Sequence, residues 1–104
     1  MTYSINTSKY TAKKLVEING TTFKVRPFTT AEQFEMERFK VALEKASKDE
    51  DVDGLEKIYN KVVESYYGLF DKKDEIKKIF QEIPIDKLAE IYQDIMEKAG
   101  NAED

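Results

Sequence analysis

A short acidic stretch is the part of the sequence that most resembles a metal site. Asp49, Asp51, Asp53 and Gly54 match positions 1, 3, 5 and 6 of an EF-hand calcium loop, in which carboxylates surround the ion and the glycine makes a sharp turn. The match then fails, because position 8 lacks an aliphatic residue and position 12, which needs a bidentate Glu, is Asn60. We therefore predict a helix–helix connection without a metal, with weak calcium binding as the alternative.

Catalytic side chains are scarce in this chain. It contains no His and no Cys, which removes the commonest general base, a thiolate nucleophile and any Cys-based zinc site. The Ser residues have no His to activate them, and the four Gly residues form neither a GxGxxG nor a P-loop motif. Carboxylate pairs such as Asp74 and Glu75 arise by chance among 21 acidic residues. We predict no enzyme activity and no cofactor.

The composition describes a soluble protein with one small core. A chain of 104 residues suffices for a single domain. Its 40% hydrophobic and 37% charged residues are too apolar for a disordered chain and too polar for a membrane protein. The net charge of −4 argues against nucleic acid, because phosphate contacts require basic residues. Since the first residues lack an apolar leader, we expect a cytoplasmic protein that binds neither nucleic acid nor membrane.

Residues 14–26 carry the clearest local signal, which is that of a β-hairpin. Two β-prone runs flank Asn19-Gly20, a pair typical of a type I′ turn. The two-residue loop places four apolar side chains on one face of the hairpin: Val16, Ile18, Phe23 and Val25. Because a lone hairpin is marginal in water, we expect this face to pack on the rest of the fold.

Apolar periodicity predicts four helices after the hairpin, at about residues 30–47, 54–70, 72–82 and 86–99. The fold class is therefore α+β and mostly α, with an N-terminal β-hairpin packed on a bundle of about four helices. A single domain of residues 14–100 lies between a polar arm, 1–13, and a polar tail, 101–104. In the arm, Tyr3 and Ile5 alternate as in a short edge strand, although a loosely ordered segment fits equally well.

Several polar residues fit the starts of these helices. Thr30 with Gln33 fits a capping box at the first helix. Asp53 is a candidate cap for the second helix, and Asp71 and Asp74 are candidates for the third. The last helix is expected to open at Asp86, with Ile85 before it as a staple residue.

The first helix has two apolar edges. Met36, Phe39, Leu43 and Ala46 form one stripe at about 100° per residue, and Phe34 and Val41 form a separate edge. Two edges indicate two neighbours, for example the hairpin and another helix.

The second and fourth helices carry more apolar surface than one small core requires. In the second helix the apolar arc spans about 180°, wider than a surface helix needs. We interpret most of these residues as core, and tyrosine as well suited to a partner groove, because it combines contact area with a polar tip. The candidate partner-binding residues are Tyr59, Tyr66, Tyr67, Phe70, Ile91 and Ile95.

The order of these elements resembles that of the tail assembly chaperones of siphophages and prophages of Gram-positive bacteria. The resemblance covers the layout of most of residues 14–99. It rests on the hairpin that ends in Arg26-Pro27-Phe28-Thr29, the acidic capped helix, and the helical second half with Ile83-Pro84-Ile85-Asp86-Lys87-Leu88 before the final helix.

The resemblance implies a non-catalytic protein of the bacterial host cytoplasm. Members of this family bind the long helical tape-measure protein, keep it soluble and help to recruit tail-tube subunits. A programmed frameshift often extends the short form into a longer one. The family has no catalytic motif, so no residue here gains a role by transfer, and a homo-oligomer is left open.

Two other classes of protein fit the same sequence features. One is a different phage structural component, such as a head–tail adaptor that forms a ring. The other is a cytosolic helical regulator of the immunity or antitoxin type with one dedicated partner. Both are protein-binding and non-catalytic, so the broad expectation holds for all three.

Overall fold

The computed structural model describes residues 2–101 and shows an N-terminal β-hairpin followed by four helices. This confirms the predicted α+β, mostly α, class. The strands and helices in chain order are β1 (Lys14–Ile18), β2 (Thr21–Val25), α1 (Thr30–Lys48), α2 (Val52–Tyr67), α3 (Lys73–Phe80) and α4 (Ile85–Lys98). Of the predicted polar tail only Asn101 is described, and residues 102–104 lie outside the described part of the chain.

The hairpin has the predicted turn and register. Asn19 and Gly20 both have positive φ, 50° and 84°, as a type I′ turn requires. Val16 pairs with Phe23, and Ile18 pairs with Thr21. The four apolar side chains therefore share one face and pack into the core.

A short extended segment after α2 covers the outer edge of β2. Arg26 N–H donates to Leu69 O at 3.0 Å, and Asp71 N–H donates to Lys24 O at 3.1 Å. The predicted helix to residue 70 is therefore three residues too long, because residues 69–71 bond to the strand instead of continuing α2.

Asp71 does not cap α3 as predicted. Its Oδ1 accepts a hydrogen bond from Lys24 N–H at 3.0 Å, so the carboxylate completes the pairing at the edge of β2. Asp74, the other candidate, lies within the first turn of α3, whose N-cap Lys72 has no side-chain cap bond. Lys73 and Lys77 of α3 form ion pairs with Glu64 of α2, at 2.9 and 3.3 Å.

Helix α1 begins at Thr30 as predicted, whereas its cap, the start and cap of α2, and the start of α4 differ from the prediction by one or two residues. The capping box is formed by Thr29 and Glu32, one residue before the predicted pair. Asp51, not Asp53, caps α2, and its Oδ1 accepts from Gly54 N–H at 3.0 Å. Helix α4 begins at Ile85 after Pro84.

The core lies where the hairpin, the end of α2, α3 and α4 meet. Within residues 2–101 it consists of nine buried residues, Phe23, Val25, Tyr67, Leu69, Phe70, Ile76, Phe80, Leu88 and Ile95. Helix α1 contributes none of them, and its one buried residue, Ala46, lies against α2. The described chain measures 56 × 42 × 20 Å with a radius of gyration of 16.1 Å, whereas a compact 100-residue domain has about 13 Å. The fold is thus flat and elongated, with the α1–α2 pair extending from the core.

The N-terminal arm forms no strand within residues 2–13. Thr7–Tyr10 form a 3-10 turn, and Asn6 Oδ1 accepts from Ser8 N–H at 3.0 Å. Tyr3 and Ile5 are exposed, so the edge-strand alternative is wrong.

Candidate functional site

Three aromatic rings from distant parts of the chain meet beside the core. Phe28 follows Pro27 at the exit of β2, Tyr66 lies in the last turn of α2, and Tyr92 is in the middle of α4. The ring centroids of Phe28 are 5.3 Å from Tyr66 and 5.0 Å from Tyr92, and the two Tyr rings are 5.8 Å apart. All three pairs are edge-to-face, the arrangement that aromatic quadrupoles favour.

A hydrogen bond fixes this aromatic trio to the backbone. Tyr92 Oη accepts from Phe28 N–H at 2.9 Å, which satisfies a backbone donor that the end of the strand leaves without a ladder partner. Burial raises the pKa of both Tyr66 and Tyr92, because the charged phenolate would lose its hydration. Both side chains are therefore neutral phenols at physiological pH.

The trio forms the floor of an open groove of about 690 Å³ between the N-terminal half of α1 and α4. Polar side chains surround the aromatic floor, and Phe34, 62% exposed, stands at the rim. The lining residues are Phe28, Thr30, Gln33, Phe34, Met36, Glu37, Tyr66, Ala89, Tyr92 and Gln93. An apolar floor with a polar rim is typical of a protein-binding surface.

An ion pair holds the first turn of α1 against the hairpin next to this groove. Arg26 Nη1 and Nη2 donate to Glu32 Oε1 and Oε2 at 2.6 and 2.8 Å, a forked geometry that adds orientation to attraction. Glu32 Oε1 also accepts from Thr29 N–H at 2.9 Å. These hydrogen bonds lower the pKa of Glu32 to about 2, and the bond from Arg26 has the largest effect. The Glu32 carboxylate is therefore ionised at neutral pH.

The second apolar edge of α1 faces solvent. Phe34 and Val41 are 62% and 65% exposed, and they line a shallow depression of about 440 Å³ with Glu37, Arg38, Ala42 and Lys45. The prediction that this edge meets a second neighbour within the fold is therefore wrong. The inner stripe of α1 packs on α2, and the outer edge is left uncovered.

Three residues predicted to contact a partner are buried in the core. Tyr67, Phe70 and Ile95 are 4–5% exposed, so they stabilise the fold and do not present a surface to a partner. Apolar residues have the same helical spacing in a core and in a partner groove, so the sequence alone does not separate the two roles.

The other three predicted residues lie at or near the surface in different places. Tyr66 is in the groove floor, Ile91 is partly buried against the core, and Tyr59 is 41% exposed on α2, outside the groove lining. Of the six residues, the structure brings only Tyr66 into the groove.

Most of the groove residues were not predicted from the sequence as binding residues. Phe28 follows a strand-ending proline, which marks a chain exit and gives no sign of a binding role. Tyr92 belongs to an apolar stripe that is otherwise core. The exposed edge of Phe34 and Val41 was the one available signal, because a second apolar edge on a helix indicates surface left to cover.

The acidic stretch between α1 and α2 forms a capped helix connection. Asp51 is engaged with Gly54 N–H, and Asp49 is the C-cap residue of α1. Within residues 2–101, no group of three or more acidic side chains is arranged to hold a metal ion. The arrangement of carboxylates here is that of helix termini.

No helix in the described part of the chain combines the length and the apolar character needed to cross a membrane. The chain matches no protein-family model, no curated protein and no solved structure.

Proposed function

We propose that this chain is a non-catalytic protein-binding protein that holds an amphipathic helix of its partner in the groove between α1 and α4. The observation that carries the proposal is the aromatic floor of Phe28, Tyr66 and Tyr92 with the exposed Phe34 at its rim. Aromatic residues in a desolvated pocket contribute a large share of binding energy at protein interfaces. A groove between two helices suits the ridge of a third helix.

The side chains at the groove support binding and not catalysis. The rim supplies Thr30, Gln33 and Gln93 as hydrogen-bonding groups and Glu37 as a charge. The phenols of the floor have raised pKa values, so they remain protonated near neutral pH. Such a rim orients a partner, whereas general acid–base catalysis requires a group that titrates near the working pH.

The finer proposal is that the partner is a tape-measure protein and that the chain is a tail assembly chaperone of the bacterial cytoplasm. Three features support it: the resemblance in layout over residues 14–99, the acidic composition, and an open groove suited to an apolar helix. Long helical clients expose repeated apolar stripes, which a helix-binding groove would cover one segment at a time. Recruitment of tail-tube subunits belongs to the same proposal.

Co-expression with a long helical tape-measure protein tests this proposal. The chain should increase the soluble fraction of that protein and copurify with it. Gln93→Arg, an exposed change in the groove lining, should reduce copurification at least about tenfold, because it places an unpaired charge against the apolar stripe of the client. Gln81→Arg, an exposed change outside the groove lining, is the matched control.

Two results would contradict the proposal. Copurification that survives Gln93→Arg and Ala89→Arg alike would move the binding surface away from the groove. Copurification with portal or capsid components, or with a small toxin, would favour the adaptor or the regulator.

A further inference from the structure

The outer face of α1 carries a regular row of exposed apolar residues. Phe34 and Val41 are seven residues apart, which places them on the same side of the helix, about two turns from each other. Both side chains are more than half exposed, and they point away from the inner stripe that packs on α2. The row is a separate surface from the floor of the aromatic groove, although Phe34 and Glu37 line both.

Charged residues flank this row with opposite signs on its two sides. At about 100° per residue, Glu37 and Glu44 lie roughly 60–80° to one side of Phe34. Arg38 and Lys45 lie roughly 20–40° to the other side. Arg38 contacts Glu35 at 3.1 Å, but both side chains are exposed, and such a surface pair exchanges at little cost in free energy. The face therefore has an acidic flank and a basic flank, each repeated at seven residues.

We propose that this face binds a second copy of the chain, with the two α1 helices parallel and related by a two-fold axis along them. Each Phe34 and each Val41 then meets the same residue of the second copy. The acidic flank of one helix lies beside the basic flank of the other, which pairs Glu37 with Arg38 and Glu44 with Lys45, each twice. This is the interhelical charge pairing that sets partner and orientation in helix pairs.

The charges also favour the parallel arrangement over the antiparallel alternative. In an antiparallel pair each flank meets the same flank of the second copy, so Arg38 would lie beside Lys45 and Glu37 beside Glu44. Like charges at such distances destabilise a helix pair. We therefore propose the parallel copy as the occupant.

The row is short, which limits the strength of this association. Lys48 occupies the next position of the row and ends its apolar part, so contact is confined to residues 34–45. An interface of this size belongs to the weak class, below about 1,200 Å², with a Kd on the order of 10–100 μM. Because the helices are parallel, the two aromatic grooves lie at the same end of the pair.

Sedimentation velocity of the full chain between about 10 and 500 μM tests the proposal. The wild type should show reversible dimer formation that weakens at high salt. Arg38→Glu/Lys45→Glu should weaken the dimer at least about tenfold, because both flanks become acidic. Glu37→Lys/Glu44→Lys should do the same because both flanks become basic. An equimolar mixture of the two variants should recover a dimer, since one copy is then acidic and the other basic.

Lys57→Glu/Lys61→Glu on the exposed side of α2 is the control, because it changes the net charge as much as the first variant does. It should leave the dimer intact. A wild type that stays monomeric over the whole range would overturn the proposal, as would a dimer that the face variants and the control affect equally. A mixture that stays monomeric would also overturn it. Circular dichroism of each variant separates these results from a loss of folding.

The dimer face shares Phe34 and Glu37 with the rim of the aromatic groove, and a variant on the α4 side of the groove separates the two proposals. Ala89→Arg blocks the groove and should leave self-association unchanged. The failure of one proposal is therefore distinguishable from the failure of the other.

Discussion

Tyr92 Oη accepts a hydrogen bond from Phe28 N–H at 2.9 Å across 64 residues of sequence. The bond joins the exit of the hairpin to the middle of α4, and the two rings stack edge-to-face with centroids 5.0 Å apart. It therefore fixes both the direction in which the chain leaves β2 and the position of two of the three floor rings.

Removing the Tyr92 hydroxyl should destabilise the fold and leave the ring packing intact. Tyr92→Phe leaves Phe28 N–H without its acceptor in a partly buried place, which costs about 1 kcal/mol of unfolding free energy. Urea denaturation measures the difference. Tyr59→Phe removes an exposed hydroxyl and should change the stability by less than about 0.3 kcal/mol. Equal effects of the two changes would contradict the role of the Phe28–Tyr92 bond.

The Arg26–Glu32 pair should make stability depend on pH in the acid range. The pKa of Glu32 is lowered from 4.5 to about 2 in the folded chain, so the folded state favours the ionised form. The contribution is present above pH 4.5 and is lost as the pH falls through about 2. Because the pair is partly exposed, we expect about 1 kcal/mol, well below the value that the full shift would give.

Glu32→Gln isolates this contribution, because Gln retains the N3 position of a capping box. The variant should be less stable than the wild type at pH 7, and the difference should shrink as the pH falls toward about 2, as measured by thermal unfolding at each pH. Glu35→Gln, at an exposed pair with Arg38, is the control and should show little difference at either pH. A Glu32→Gln deficit of the same size at pH 2 and at pH 7 would show that the loss is steric and not electrostatic.

Glu50 adopts a left-handed backbone conformation that residues other than glycine rarely take, with φ of 54°. A residue with a side chain in this left-handed conformation destabilises the folded state by about 1–2 kcal/mol. Glycine avoids this cost, but its greater conformational freedom stabilises the unfolded chain and offsets part of the gain. Glu50→Gly should therefore raise the unfolding free energy by about 0.5–1 kcal/mol. Asp49→Gly, where φ is −83°, should lower it. Destabilisation by both changes would contradict the assignment of strain to Glu50.

Gly54 is required by the cap of α2. A Cβ at Gly54 would collide with Asp51 Oδ2, so Gly54→Ala should displace the capping carboxylate and lose about 1 kcal/mol. A Cβ at Gly68 would meet Glu64 O at an ordinary 3.5 Å, and Gly68→Ala should be neutral or stabilising. In an Asp51→Ala background the cost of Gly54→Ala should vanish. A cost that remains there would show that the cap is not its cause.

Local signals in the sequence predicted the elements well, and contacts between distant segments decided the rest. Asn19-Gly20 specified the hairpin turn because the required positive φ is a property of those two residues. Asp71 looked like a helix cap because its partner, Lys24 N–H, is 47 residues away. Thr29 and Thr30 are each followed three residues later by a residue suited to a capping box. The structure uses Thr29, whose partner Glu32 also binds Arg26.

The candidate site was predictable only in part for the same reason. Tyr66, Tyr67 and Phe70 are close neighbours in the sequence, yet Tyr66 lines the groove and the other two are buried. Which of them faces the core depends on where α2 ends, and that end is set by the bonds of residues 69–71 to β2. No local pattern contains this information.

The most direct test of the central proposal is the affinity of the purified chain for a long helical tape-measure protein. Surface plasmon resonance would compare the wild type with Gln93→Arg in the groove and Gln81→Arg outside it. We predict saturable binding whose Kd rises at least about tenfold for Gln93→Arg and stays unchanged for Gln81→Arg. Absence of binding, or equal binding by all three proteins, would contradict the proposal that the groove holds a helical partner.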